Sequence, residues 1–255
     1  MERKNCPIGV FDSGVGGISV LKELVKLMPN ENYLYFGDSA NAPYGTRSTE
    51  DVRRLTLQVA DQLVKRDIKA LVVACNTATS AAIHILRQNY PNLIIVGIEP
   101  ALKLAADQFP KGRIGVMATQ VTLREEKFAH QLERFPEAQV HLIPAPGLVE
   151  LVEAGGAKTP AAVDLLKNIL SPYVGKLDAL VLGCTHYPFV KEALQEILPD
   201  TVLLDGGEGT ARQTRRCLER QNLLDEGPGK IQIENSSHDG QIIQLCMALM
   251  EDTNG

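Results

Sequence analysis

Two apolar runs rich in β-branched residues each stop abruptly on a cysteine followed by polar residues: Ala70-Leu71-Val72-Val73-Ala74-Cys75-Asn76-Thr77 and Ala179-Leu180-Val181-Leu182-Gly183-Cys184-Thr185-His186. The cysteines lie 109 positions apart (184 − 75). Other segments echo at nearly that offset, Ile8-Gly9-Val10 as Ile114-Gly115-Val116 and Gly97-Ile98-Glu99 as Gly206-Gly207-Glu208. This pattern predicts two related lobes, each presenting one cysteine at the end of a buried strand. Two thiols facing each other across a cleft would form a two-sided acid/base device.

Between these landmarks, strand-like runs alternate with longer helical patterns, which predicts an α/β fold with parallel sheets of βαβ units. Strands are expected at 8–11, 33–36, 70–74 and 93–96, and again at 113–117, 140–143, 179–182 and 202–204. Asp12-Ser13-Gly14-Val15-Gly16-Gly17 opens a helix with apolar positions at Val20, Leu21, Leu24, Val25 and Leu27. The loop 37–45 is too polar and too rich in turn formers for regular structure. Ser48 or Thr49 suits the cap of the next helix, with Glu50 and Asp51 at its positive end. Glu99-Pro100 marks a crossing into the second lobe. A helix over 210–220 and a tail with a last helix near 241–250 follow. Because both lobes already look complete, the tail is expected to pack back onto the first.

The net charge of −5 and the lack of a Lys/Arg block exclude a phosphate-reading surface, hence a nucleic-acid partner. No apolar run approaches the roughly 20 residues that span a bilayer, and the start has no signal-peptide character. Five widely spaced cysteines do not suggest a disulfide framework. The expectation is a cytosolic protein with reduced thiols and no membrane contact.

Free cysteines are usually small buried hydrophobes. Cys75 and Cys184 differ because each sits at a strand's carboxyl end, where open parallel sheets bind ligands. Each is also expected just before a helix, whose dipole lowers a thiol from about 8.5. Cys6, Cys217 and Cys246 lack that context and are taken as structural. The glycine-rich turn is neither G-x-G-x-x-G nor a P-loop. It is either a plain tight turn or, with Ser13 and free backbone N–H groups, an anion cradle. Asp12 would repel an anion there and suits an ammonium group or a proton transfer. His186 lacks the companions of a metal site and is better matched to Cys184 as a proton partner. Thr185, Thr77 and Asn76 offer neutral hydrogen bonds, and Glu153, before Gly155-Gly156, is a further cleft carboxylate. His84, His130 and His141 have no constellation around them.

Four motifs in order carry a resemblance: Phe-Asp-Ser-Gly-Val-Gly-Gly (11–17), Gly-Asp…Pro-Tyr-Gly (37–45), Ala-Cys-Asn-Thr-Ala (74–78) and Gly-Cys-Thr-His-Tyr-Pro (183–188). The chain resembles the glutamate racemases, cofactor-independent enzymes that supply D-glutamate for bacterial peptidoglycan. The resemblance implies two flavodoxin-like lobes related by a pseudo-two-fold axis, residues 1–98 plus about 209–255 and residues 99–208, with the site between them. It implies Cys75 and Cys184 as catalytic acid/bases, assisted by Asp12, His186 and Glu153. It implies substrate contacts at Asp12, Ser13, Pro43, Tyr44, Gly45, Asn76, Thr77, Thr119, Thr185 and His186. The segment 118–122 lacks the Pro-Gly pair usual after the threonine, and Arg124-Glu125-Glu126 is more charged than the family pattern. No cofactor and no metal are implied, and no lysine sits in the motifs to form a pyridoxal Schiff base. A homodimer is compatible with the sequence but not fixed by it. The rival readings are a thiol hydrolase or transferase built on Cys184–His186, a two-lobed binder of small anions, and an aspartate or related amino-acid racemase.

Overall fold

The fold was analysed in a computed structural model, which describes residues 2–98, 101–124, 128, 130, 132–237 and 239–252. Among these residues, nine strands form two sheets. The first contains β1 (Ile8–Asp12), β2 (Asn32–Gly37), β3 (Ala70–Val73), β4 (Ile94–Gly97) and β9 (Lys230–Asn235), in the order β4-β3-β1-β2-β9. The second contains β5 (Arg113–Ala118), β6 (Gln139–Pro144), β7 (Ala179–Leu182) and β8 (Val202–Asp205), in the order β6-β5-β7-β8. Every pairing is parallel. The central strands β1 and β3 are buried along their whole length, as expected of strands with helices on both faces.

Read from the opposite edge, the second sheet runs β8-β7-β5-β6, the order of β4-β3-β1-β2. The registers match as well. Ile8, Gly9 and Val10 oppose Ala70, Leu71 and Val72, while Ile114, Gly115 and Val116 oppose Ala179, Leu180 and Val181. Even the strand glycines answer one another: a Cβ on Gly9 would meet Ile68 Cδ1 at 2.9 Å, and one on Gly115 would meet Leu177 Cδ1 at 2.8 Å. The pseudo-repeat therefore belongs to the fold and not only to the sequence. One echo is displaced. Gly97 opposes Val73 and Asp205 opposes Leu182, so the counterpart of Gly97 is Asp205, not Gly206. The expected crossing at Glu99-Pro100 lies outside the described residues.

The tail does return to the first sheet, where β9 pairs with β2 from Asn32↔Lys230 to Gly37↔Asn235. A buried ion pair secures the approach to it. Lys69 pairs with Glu31 and donates to the Leu223 carbonyl at 2.9 Å, and Glu31 Oε1 accepts the Asp225 N–H at 2.9 Å. The helix Gly207–Arg220, which starts three residues before its expected position, packs on the helix Ile18–Leu27. One apolar cluster then crosses the seam, joining Val15, Ile18 and Leu21 to Leu148, Val152, Leu182, Tyr187, Leu218 and Cys246. Among the described residues, no helix is long and apolar enough to cross a membrane.

Candidate active site at the seam of the two sheets

Parallel strands deliver their carboxyl ends to one side, and each sheet contributes a cysteine there. Cys75 caps the helix Asn76–Asn89, its sulfur accepting the Ala78 N–H at 3.4 Å while the thiol donates to Ser13 Oγ at 3.5 Å. It is 5% exposed. Burial, reinforced by Asp12, pushes the Cys75 thiol up to about 12, against the opposing pull of Ser13 and the Ala78 N–H. The helix terminus is present as expected, but desolvation outweighs it. The expected lowering of this thiol is thereby corrected.

Cys184 has a different setting. No α-helix starts beside it; a 3-10 turn, Tyr187–Val190, intervenes before the helix Lys191–Ile197. Its charge partner is instead a side chain. Cys184 Sγ lies 3.5 Å from His186 Nδ1, and His186 Nε2 lies 2.6 Å from Glu153 Oε1. Burial alone would depress the His186 imidazolium, but Cys184 and Glu153, one at each ring nitrogen, raise it well above its ordinary value. The spacing Cys-Thr-His thus brings thiol and imidazole into contact, with Glu153 on the far ring nitrogen.

The glycine-rich turn is where the two lobes touch. A Cβ on Gly14 would sit 1.8 Å from Glu153 Oε1, and one on Gly16 would sit 2.6 Å from both His186 Cε1 and Thr185 Oγ1. One on Gly17 would meet Asp12 Cβ at 2.5 Å. At Gly14 and Gly16 side chains of the second lobe occupy that space, and at Gly17 Asp12 and Tyr35 of the first sheet do. Two of the turn's N–H groups are already engaged: Gly14 N donates to Asp12 Oδ2 at 3.0 Å, and Val15 N donates to Glu153 Oε1 at 2.8 Å. Asp12 also accepts from Thr185 Oγ1 at 3.1 Å and is fully buried. Burial pushes its carboxyl above the usual range, although His186 opposes this.

The remaining expected residues fall around this centre. Thr77 Oγ1 lies 3.3 Å from Thr122 Oγ1, which lies 3.0 Å from Thr119 Oγ1, so hydroxyls of the two lobes engage each other. Gly45 abuts Thr119, whose Cβ would be 2.8 Å from a Cβ at Gly45. Among the described residues, Asn76 Nδ2 is a buried donor with no partner. The Tyr44 hydroxyl donates to Asp38 Oδ2 at 2.7 Å. Pro43, Gly45 and Thr119 line a cavity of about 270 Å³ with Pro146, Val149 and Glu150. A second cavity of about 230 Å³ touches Asn76 and Thr122 but is walled by Ile83, Leu102 and Val116. Neither cavity is lined by Cys75 or Cys184. Glu125 and Glu126, part of the charged departure, lie outside the described residues.

Sequence reasoning missed Ser19, whose hydroxyl donates to the carbonyls of Gly16 and Thr185, each at 2.9 Å. It also missed Tyr35, which fixes the turn by donating to the Gly14 carbonyl at 2.6 Å. Neither stands in a distinctive pattern. Ser39 and Thr122 lay inside quoted segments, but nothing in the sequence separated them from ordinary loop residues.

Comparison with known proteins agrees with this architecture. Residues 8–214 match the model of the Asp/Glu/hydantoin racemase family. The glutamate racemase of Clostridium acetobutylicum is 49% identical over 255 residues, 98% of this chain and 100% of that protein. Escherichia coli glutamate racemase, solved with L-glutamate and the activator UDP-MurNAc-Ala, superposes with a TM-score of 0.86 at 31% identity, covering 96% of this chain and 95% of that one. The Francisella tularensis glutamate racemase solved with D-glutamate gives 0.85 at 29% identity, covering 98% and 95%. With paired sheets, matched cysteines and relatives that align from end to end, the chain belongs to the Asp/Glu/hydantoin racemase family.

Proposed function

We propose that this chain interconverts L- and D-glutamate by moving a proton on either side of Cα with two sulfurs, Cys75 and Cys184, and supplies D-glutamate for peptidoglycan synthesis in the cytoplasm. The observation that carries the reading is the register. Cys75 stands two residues beyond Val73 and Cys184 two beyond Leu182, at equivalent places in the two sheets. Relatives that bind L-glutamate and D-glutamate support the substrate.

Racemisation removes the α-proton from one face and returns a proton to the other. One sulfur must arrive ionised and the other protonated, and the roles exchange with the direction. In the unliganded protein burial and Asp12 both oppose ionisation of Cys75. A substrate ammonium beside Asp12 would offset that carboxylate and ease ionisation of Cys75. On the other side, His186 can take up and return the Cys184 proton while Glu153 holds its far nitrogen. The carbanion that forms delocalises onto the substrate carboxylate, where oriented donors count most. The unpaired Asn76 amide supports a place for that carboxylate. Thr77, Thr119 and Thr185 would exchange their present partners for it as the lobes open and close. No cofactor is needed for these steps.

Cys184–His186–Glu153 is also the order of a thiol hydrolase triad. That reading leaves Cys75 without a task. The test is a chiral assay of protein dialysed against chelator, in thiol reductant, with L-glutamate, D-glutamate and L-aspartate. Turnover of both glutamate enantiomers without additions supports the proposal. Preference for aspartate would move the assignment to an aspartate racemase, and activity that needs zinc or pyridoxal phosphate would overturn the mechanism.

A further inference from the structure

The chain of contacts behind Cys184 does not end at Glu153. Glu153 Oε1 serves His186 and the Val15 N–H, and Oε2 accepts from Ser39 Oγ at 3.4 Å. Ser39 Oγ in turn accepts from Asn235 Nδ2 at 2.9 Å. A serine hydroxyl has one hydrogen; with the Asn235 amide donating to the oxygen, that hydrogen is left for the carboxylate. The amide's own direction is fixed, because Asn235 Oδ1 accepts the Ser237 N–H at 2.8 Å. Asn235 closes β9 opposite Gly37, where a Cβ would come within 2.8 Å of Nδ2. The tail strand is therefore seated tightly enough to aim this amide.

We infer that Ser39 and Asn235 are positioning residues for the second sulfur: acting through Glu153, they hold His186 against Cys184, so the strand returning from the end of the chain helps to align a base carried by the other sheet. This rests on the racemase reading. It also gives β9, an edge strand with no counterpart among the described strands of the second sheet, a task beyond closing the first lobe. The contact is one-sided, since Cys75 is held by Ser13 and the Ala78 N–H, outside this chain.

One-sidedness sets the test. Ser39→Ala leaves Oε2 without its donor and lets the Glu153–His186 pair wander. A charge-assisted contact of this length should be worth about three- to tenfold in kcat. A merely structural role would slow both proton transfers alike. Damage confined to the Cys184 side instead raises one of two barriers. With α-deuterated substrate, the isotope effect on kcat/KM should grow for the enantiomer that gives its proton to Cys184. It should shrink toward unity for the other, whose slow step becomes protonation by Cys184 from solvent-derived hydrogen. Asn235→Ala should show the same asymmetry more weakly, and Ser39→Thr, which keeps the hydroxyl, should restore the wild-type pattern. Ser236→Ala is the control: it removes the acceptor of the Ala40 N–H in the same loop without touching the chain of contacts. In parallel, the ring ¹⁵N resonances of His186 should move in Ser39→Ala and not in Ser236→Ala. Equal isotope effects in both directions, or unmoved ring resonances, would overturn the inference. If the wild-type protein exchanges no α-hydrogen, the racemase reading fails, and the ring resonances alone decide whether Ser39 and Asn235 position His186.

Discussion

Gly14 lies so close to Glu153 that a Cβ there would sit 1.8 Å from Oε1 and 2.6 Å from Cδ. A residue of the first sheet's leading turn and a carboxylate of the second lobe thus share one van der Waals envelope. Gly14→Ala tests what that closeness does. The obstructing atoms end a flexible side chain, so the fold can yield and stability should change by no more than about 1 kcal/mol. Yielding, however, swings Glu153 off the Val15 N–H and off His186. Activity should fall about 100-fold, the scale of an ångström misplacement, while the melting temperature stays close to wild type. Unimpaired activity would mean that the placement of Glu153 is immaterial.

Asp12 should show a trade between stability and function. Burial raises its carboxyl above the ordinary 3.8. An acid held this way stabilises the fold while protonated, fully so below its unfolded value, and that contribution is lost as pH rises through the raised one. At neutral pH an ionised Asp12 therefore costs stability. Asp12→Asn removes the charge, keeps an oxygen for the Gly14 N–H and turns its NH2 toward Thr185 Oγ1, which as a hydroxyl can accept. Its melting temperature at pH 7 should rise, and the gain should vanish in acid. Racemisation should drop at the same time, since the ammonium's partner is gone. A fall in melting temperature would contradict the assignment.

These two residues also show where the sequence was informative. The first eight strands along the chain, the return of the tail and the places of Cys75 and Cys184 were legible, because apolar runs ending in polar residues record burial and strand ends directly. The triad was half legible, since Cys184 and His186 are close in sequence but Glu153 reaches them only through the packing of its helix. The turn 12–17 was ambiguous because sequence cannot distinguish a glycine that frees N–H groups for a ligand from one that makes room for a neighbour. Thiol acidity was misjudged at Cys75 for a similar reason: helix position is visible locally, whereas desolvation depends on the whole seam. Thr122 and Ser39 were unremarkable serine and threonine residues until the lobes came together.

The raised Cys75 thiol has a consequence for labelling. At pH 8 a thiol near 12 is ionised to only about one part in 10⁴, and thiolate is the reactive form. In unliganded protein, iodoacetamide should modify Cys75 at least about 100-fold more slowly than a small free thiol, as followed by peptide mapping. Rapid modification of Cys75 ahead of the half-buried Cys217 would show that the first sulfur is open and ionised at rest.

The central claim is that two sulfurs act from opposite faces of Cα, and solvent labelling tests it most directly. Racemisation in deuterium oxide, stopped at low conversion, should give product carrying deuterium at Cα while recovered substrate carries almost none. The sulfur that takes the proton keeps it, and the other delivers one already exchanged with solvent. Cys75→Ser and Cys184→Ser should each suppress racemisation in both directions, because each direction uses one thiolate and one thiol. Deuterium in both recovered substrate and product, original hydrogen returned to the product, or near-full activity in Cys75→Ser would contradict the two-base account.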